Sequence, residues 1–216
     1  MERKCGFLGF FVSIFITLFS FNAMAADYVC ENGYMRVDGV CTAPEFTVTT
    51  TELTAEDVFW FYISAAGTYY IDWGDDSAVE KIEKTNTNNE NITHTYATAG
   101  VRTIKFYGQA DAYSTKLASQ YSPSTVAAIS FANNARVAGI DGSLGAIFGT
   151  LDGDVQPSFY QTFYDNKNMK GSLPNNLFKG RYGQPAPGQF LQTVYRCEKL
   201  SGTFPDGMFA DWLANL

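Results

Sequence analysis

The chain has 216 residues, 46% of them apolar and 17% charged, with a formal charge of −7. This composition excludes a disordered chain and suffices for one ordinary domain or two small ones. An acidic chain without a basic cluster repels phosphate backbones, which argues against nucleic-acid binding.

Residues 1–25 read MERKCGFLGFFVSIFITLFSFNAMA: Arg3 and Lys4, an apolar run from Gly6 to Phe21, then Ala23-Met24-Ala25. This is the order of a secretory signal peptide, with cleavage expected after Ala25. The apolar run is shorter than the roughly 20 residues that cross a bilayer, so a retained anchor is the weaker reading. No second such run follows, and the mature chain is expected to carry no membrane span. Export then ends in the periplasm, at the cell surface or outside the cell.

Cys5 leaves with the leader, and Cys30, Cys41 and Cys197 remain. Export places them where disulfides persist. The stretch CENGYMRVDGVC encloses a short polar turn, so a Cys30–Cys41 bridge is expected to close residues 26–45, stabilising them by about 2–3 kcal/mol. A metal site is the rival reading, disfavoured because no CxxC and no nearby histidine supply the other ligands. Cys197 is left over; it is either free and buried or paired with another chain, and burial is the expectation.

Residues 46–108 carry a strand pattern. FTVTTTEL, VFWFYIS, TYYIDW, AVEKIE, NITHTY and VRTIKFYG are rich in β-branched and aromatic residues, with turn residues between them. Ile104 and Phe106 should face inward. Six short strands at this spacing predict an antiparallel sandwich.

Within this region, Trp73-Gly74-Asp75 with Ser77, followed by His94, Tyr96, Gly100 and Ile104, resembles a PKD-type, immunoglobulin-like β-sandwich. The resemblance implies that Trp73 fills the space between two sheets and that His94 and Tyr96 brace the turn. Asp76 stands where that family has glycine, and Arg102 where an aromatic is usual. Asp tolerates a left-handed backbone better than most residues.

Residues 109–125 are polar and read as a linker. Residues 126–216 then repeat. FYQTFYDNKNMKGSLPNNLFKG from Phe159 and FLQTVYRCEKLSGTFPDGMFAD from Phe190 match without gaps at a spacing of 31 residues, and a looser copy precedes them. The expected units are 126–158, 159–189 and 190–216. One such unit cannot bury its own apolar side, so the units must stack. The pattern L-x-G-x-[LF]-P-x-x-[LM]-F resembles the leucine-rich repeats of bacterial surface proteins. A duplicated hairpin in an ordinary β domain is the rival. The run FYQTFY suits a helical turn as well as a strand. At the end, Trp212, Leu213 and Leu216 would form an amphipathic cap, or the chain is a truncated relative of a longer array.

Little in the sequence points to catalysis, and no enzyme activity is expected. His94 is the single histidine, which disfavours a zinc site and leaves a Ser-His-Asp triad improbable. Asp72, Asp75 and Asp76 cluster in one turn, but their spacing does not fit an EF-hand and the turn motif already accounts for them. Asp152 and Asp154 read as solvated turn residues. No glycine-rich phosphate loop appears, and no catalytic residue, metal or cofactor is expected. Asn91 heads a glycosylation sequon. Gln161 and Tyr164 recur as Gln192 and Tyr195. Pointing outward they make a ladder suited to peptides or sugars; pointing inward they are core, and core is the expectation. The fold class expected is mainly β, a small sandwich followed by a short leucine-rich-like solenoid. The function expected is an exported binding or adhesion protein for a protein or polysaccharide. The alternatives are a polysaccharide-hydrolase accessory, a glycosidase, or a fragment of a larger surface repeat protein.

Overall fold

A computed structural model describes residues 35–37, 40–114, 127–149, 156–179 and 189–208. The leader, Cys30, Asp152, Asp154, most of the expected linker and the residues of the expected cap lie outside them. The strands are β1 Met35–Val37, β2 Val40–Thr42, β3 Phe46–Thr50, β4 Val58–Ile63, β5 Ala66–Asp72, β6 Glu80–Lys84, β7 Glu90–Thr95, β8 Thr103–Ala112, β9 Ile129–Ser130 and β10 Val137–Gly142. One helical turn, α1 Leu144–Ile147, and two short strands, β11 Lys170–Gly171 and β12 Lys199–Leu200, complete the described elements.

The chain is mainly β with antiparallel sheets. A five-stranded sheet has the order β10-β3-β8-β5-β6 and faces a three-stranded sheet β7-β4-β9. The alternation read in the sequence sets their inner faces: Phe46 and Val48 on β3, Phe59, Phe61 and Ile63 on β4, and Ile104 and Phe106 on β8 are all buried. Phe61 meets Phe106 across the two sheets at 5.3 Å between ring centroids. Trp73 is 1% exposed and lies against Phe59 and Phe61 at 6.4 and 6.1 Å. Each such ring, fully buried, contributes about 1.5–3 kcal/mol.

Strand β8 runs four residues past Gly108, where the sequence reading ended it, into the stretch read as linker. Gly108 is not a terminator. Its φ is +104°, and a Cβ there would sit 2.2 Å from the Thr68 carbonyl oxygen. Glycine allows β5 and β8 to approach at this point, and pairing resumes beyond it.

The segments after residue 126 are joined to this sandwich rather than hung from it. β9 pairs with β4, and β10 takes the free edge of β3. Phe131 lies within 6.4 Å of Phe46, Phe59, Phe61 and Phe106, and it stacks on Phe163 at 5.7 Å and 4°. One hydrophobic cluster therefore runs from Trp73 and Ile104 through Phe131 to Phe163, Met169 and Leu177.

The two matching segments lie side by side. Phe159, Gln161, Phe163 and Asp165 donate their N–H groups to the carbonyls of Gln189, Leu191, Thr193 and Tyr195 at 2.7–3.1 Å. Phe131 and Asn133 donate in the same way to Thr162 and Tyr164, at 2.7 and 2.8 Å. The first part of each segment, residues 159–166 and 190–197, is neither helix nor strand but a run of tight turns closed by i+3 to i bonds, such as Thr162 to Phe159 and Asn166 to Phe163. The third residue of alternate turns carries positive φ: Asn133, Gln161, Asp165, Gln192 and Arg196, at 54–62°. A ladder of buried polar side chains ties the segments further. Asn134 donates to the Trp60 carbonyl at 2.7 Å, Asn166 to the Phe131 and Asn134 carbonyls at 2.8 and 2.9 Å, and Cys197 to the Phe163 carbonyl at 2.9 Å. Cys197 is free and buried, and desolvation pushes its thiol up to about 11.

Candidate functional site

Gln161, Tyr164, Gln192 and Tyr195 stand together on the outer side of the stacked segments. The expectation that they fill the core is overturned. Gln161 Nε2 donates to Gln192 Oε1 at 2.6 Å, and the rings of Tyr164 and Tyr195 stack at 5.7 Å and 22°. Tyr195 is 54% exposed and Tyr164 half-buried. The turns explain the difference. Within each run they direct Phe159, Thr162, Phe163 and Asn166 inward, so the adjacent Gln161 and Tyr164 face out, although apolar spacing alone does not separate Phe163 from Tyr164.

Two concave surfaces flank the stack. At its outer end a cavity of about 440 Å³ is lined by Leu173, Phe178, Phe190, Val194, Tyr195 and Phe204. Phe204 is 63% exposed. Between β3 and the β11–β12 pair runs an open groove of about 860 Å³, whose lining includes Thr49, Thr51, Asn168, Lys170, Lys199 and Ser201. Lys170 and Lys199 are cross-strand partners in that parallel pair. Like charges so placed cost stability. Asn168 accepts from Lys199 Nζ at 2.6 Å and donates to the Ala135 carbonyl at 2.9 Å, which fixes this lysine in place.

A third cleft, of about 380 Å³, borders Thr42, Glu45, Tyr70, Lys81, Gln109 and Asp111 on the outer face of the larger sheet. Burial pushes the Glu45 carboxyl up to about 7, and among the described residues its Oε2 has no hydrogen-bond partner. The sequence gives no sign of this site. Glu45 is an unremarked residue before a strand, and only the sheet brings Asp111 to the same cleft.

The turn after β5 is a structural brace. Tyr96 donates its hydroxyl to the Trp73 carbonyl at 3.0 Å, and His94 lies flat on Trp73 at 4.7 Å and 8°. His94 Nε2 is 2.8 Å from Asp75 Oδ2, while Ser77 donates to Asp75 Oδ1 at 2.6 Å. The serine hydroxyl therefore addresses the carboxylate and not the imidazole, which is the wrong order for an activated nucleophile. Asp72 is held by Lys105 at 2.9 Å and by the Gly74 N–H. Asp76 adopts φ +63°, the left-handed conformation its place in the turn requires. Arg102 packs its guanidinium over Tyr96 at 5.6 Å and donates to the Thr98 and Ala99 carbonyls.

Among the described residues, no three His, Cys, Asp or Glu side chains gather where they could hold a metal ion, and no helix is long and apolar enough to cross a membrane. Comparison with protein-family models, with curated proteins and with solved structures finds no match to this chain.

Proposed function

We propose that this chain is an exported, non-catalytic binding protein that recognises a polysaccharide or protein ligand through its repeated segments. On this reading residues 1–25 are a leader cleaved after Ala25 and a Cys30–Cys41 bridge closes the mature N-terminus. A PKD-like sandwich presents leucine-rich-like stacked repeats. The observation that carries the proposal is the surface ladder of half-buried Tyr164 on exposed Tyr195, with Gln161 on Gln192 beside it. Paired rings with amides beside them give flat apolar contact and directional hydrogen bonds at little entropic cost, which suits sugars and peptide backbones. The groove holding Lys170 and Lys199 lies on the same segments and offers hydroxyl and ammonium groups.

A glycan and protein array probed with the mature chain tests this. Any ligand found should bind at least about tenfold more weakly to the Tyr164→Ala/Tyr195→Ala variant, a loss of about 1.4 kcal/mol, with little change in unfolding midpoint. Binding that is indifferent to both tyrosines contradicts the proposal.

One observation favours a second reading, that of a glycosidase. Glu45 and Asp111 line one cleft, and burial raises the Glu45 carboxyl into the range of a general acid. Polysaccharide hydrolysis abolished by Glu45→Gln would establish it and replace the first reading. Glu45 also sets a pH dependence. Its folded pKa lies above its ordinary value of 4.5, so its contribution to stability is fully present below pH 4.5 and is lost as pH rises through about 7. Glu45→Gln should therefore raise the melting temperature at pH 8 and leave it unchanged at pH 4.

A further inference from the structure

The groove between β3 and the β11–β12 pair holds two cations that lack a counter-charge. Lys81, Lys84, Lys105, Arg136, Lys167 and Arg196 each stand within 3.7 Å of a carboxylate oxygen. Among the described residues, neither Lys170 nor Lys199 meets a carboxylate, although Glu52 lines the same groove. The two lysines are direct partners on neighbouring strands, whose backbones lie about 4.8 Å apart. Their like charges therefore repel. Asn168 keeps Lys199 from swinging away: it accepts from Nζ at 2.6 Å and is itself fixed on the Ala135 carbonyl at 2.9 Å. That bond uses one of the three ammonium donors and leaves two. An anion bridging both ammonium groups would relieve the repulsion and take charge-assisted hydrogen bonds from each.

We propose that this groove binds a uronate unit of an acidic polysaccharide, its single carboxylate bridging Lys170 and Lys199 and its hydroxyls meeting Thr49, Thr51, Ser201 and Glu52. The inference rests on the reading that the repeated segments take up a polysaccharide, and it names the sugar class. The rest of the groove selects this occupant. Two lysines and Glu52 leave one net positive charge, which suits one carboxylate set among hydroxyls. Glu52 accepts from a sugar hydroxyl but repels a second anionic group. A polyphosphate or a run of acidic side chains would bring charge against Glu52, and the chain's formal charge of −7 opposes such a ligand elsewhere. The groove, of about 860 Å³, has room for more than one sugar ring. At Gly171, also in its lining, a Cβ would meet nothing within 4 Å, so a ring can lie close to the backbone there.

The test titrates the full mature chain with trigalacturonate and with triglucuronate, followed by backbone amide NMR shifts. At least one of the two should move the amides of Gly171 and Ser201. Its methyl ester should bind at least about fivefold more weakly, and so should the acid to the Lys170→Gln/Lys199→Gln variant. Lys170→Gln alone should leave the unfolding midpoint unchanged or higher, since it removes a repulsion, which separates lost binding from a lost fold. No response to either uronate, equal binding of the ester, or an equal response to inorganic phosphate or a hexaglutamate peptide overturns the proposal. The inference and the reading beneath it fail separately. Uronate binding lost in the Tyr164→Ala/Tyr195→Ala variant but kept in the lysine variant overturns the groove and leaves the tyrosine ladder standing. Binding lost in the lysine variant alone upholds the groove and contradicts the ladder.

Discussion

Replacing Phe131 by alanine should cost about 3–5 kcal/mol of stability, the range for deleting a fully buried ring. Phe131 is 0% exposed and touches five other rings, two on the larger sheet, two on β4 and one in the repeated segments. Chemical denaturation followed by circular dichroism measures the loss. The sandwich and the segments should lose stability together, since the ring belongs to both. Phe204→Ala, at an exposed ring, should change stability by no more than about 0.5 kcal/mol.

The second large effect is expected at Asn166, which is 0% exposed and donates its amide to two carbonyls. Asn166→Asp keeps the shape but turns the donor into a carboxylate facing two oxygens. A buried charge without a partner costs about 3–5 kcal/mol. The carboxyl can restore a donor only by taking up a proton, so its folded pKa is raised. The destabilisation should accordingly be smaller at pH 4 than at pH 8, with unfolding compared against the unmodified chain at both pH values. Asn134→Asp should behave alike at the Trp60 carbonyl.

These two residues also show which parts of the molecule were legible in its sequence. The six strands from Phe46 to Ala112 follow from period-two alternation in segments such as VFWFYI, where every second residue faces the opposite sheet. Strand β10 was not legible. VAGIDG contains two glycines and does not alternate, and it is a strand because β3 offers it a free edge. Helix α1 is a single turn capped by Ser143, too short to show a period. The repeat spacing was plain, but the backbone within each repeat was not. Left-handed conformations at Gln161 and Asp165 carry no glycine to announce them. That missing signal is why Tyr164 and Tyr195 were expected inside. Of the clefts, the tyrosine ladder was visible as a recurrence, whereas Glu45 and Asp111 meet only through sheet pairing.

The central claim is that the sandwich and the repeated segments share one interior and open as one unit. Native-state hydrogen exchange compares it directly at two buried amides: Tyr96, bonded to the Asp57 carbonyl at 2.9 Å, and Phe163, bonded to the Thr193 carbonyl at 2.7 Å. Equal opening free energies with the same denaturant dependence are expected. A Phe163 amide that opens several kcal/mol more easily than Tyr96 would show two separately folding parts and contradict the account.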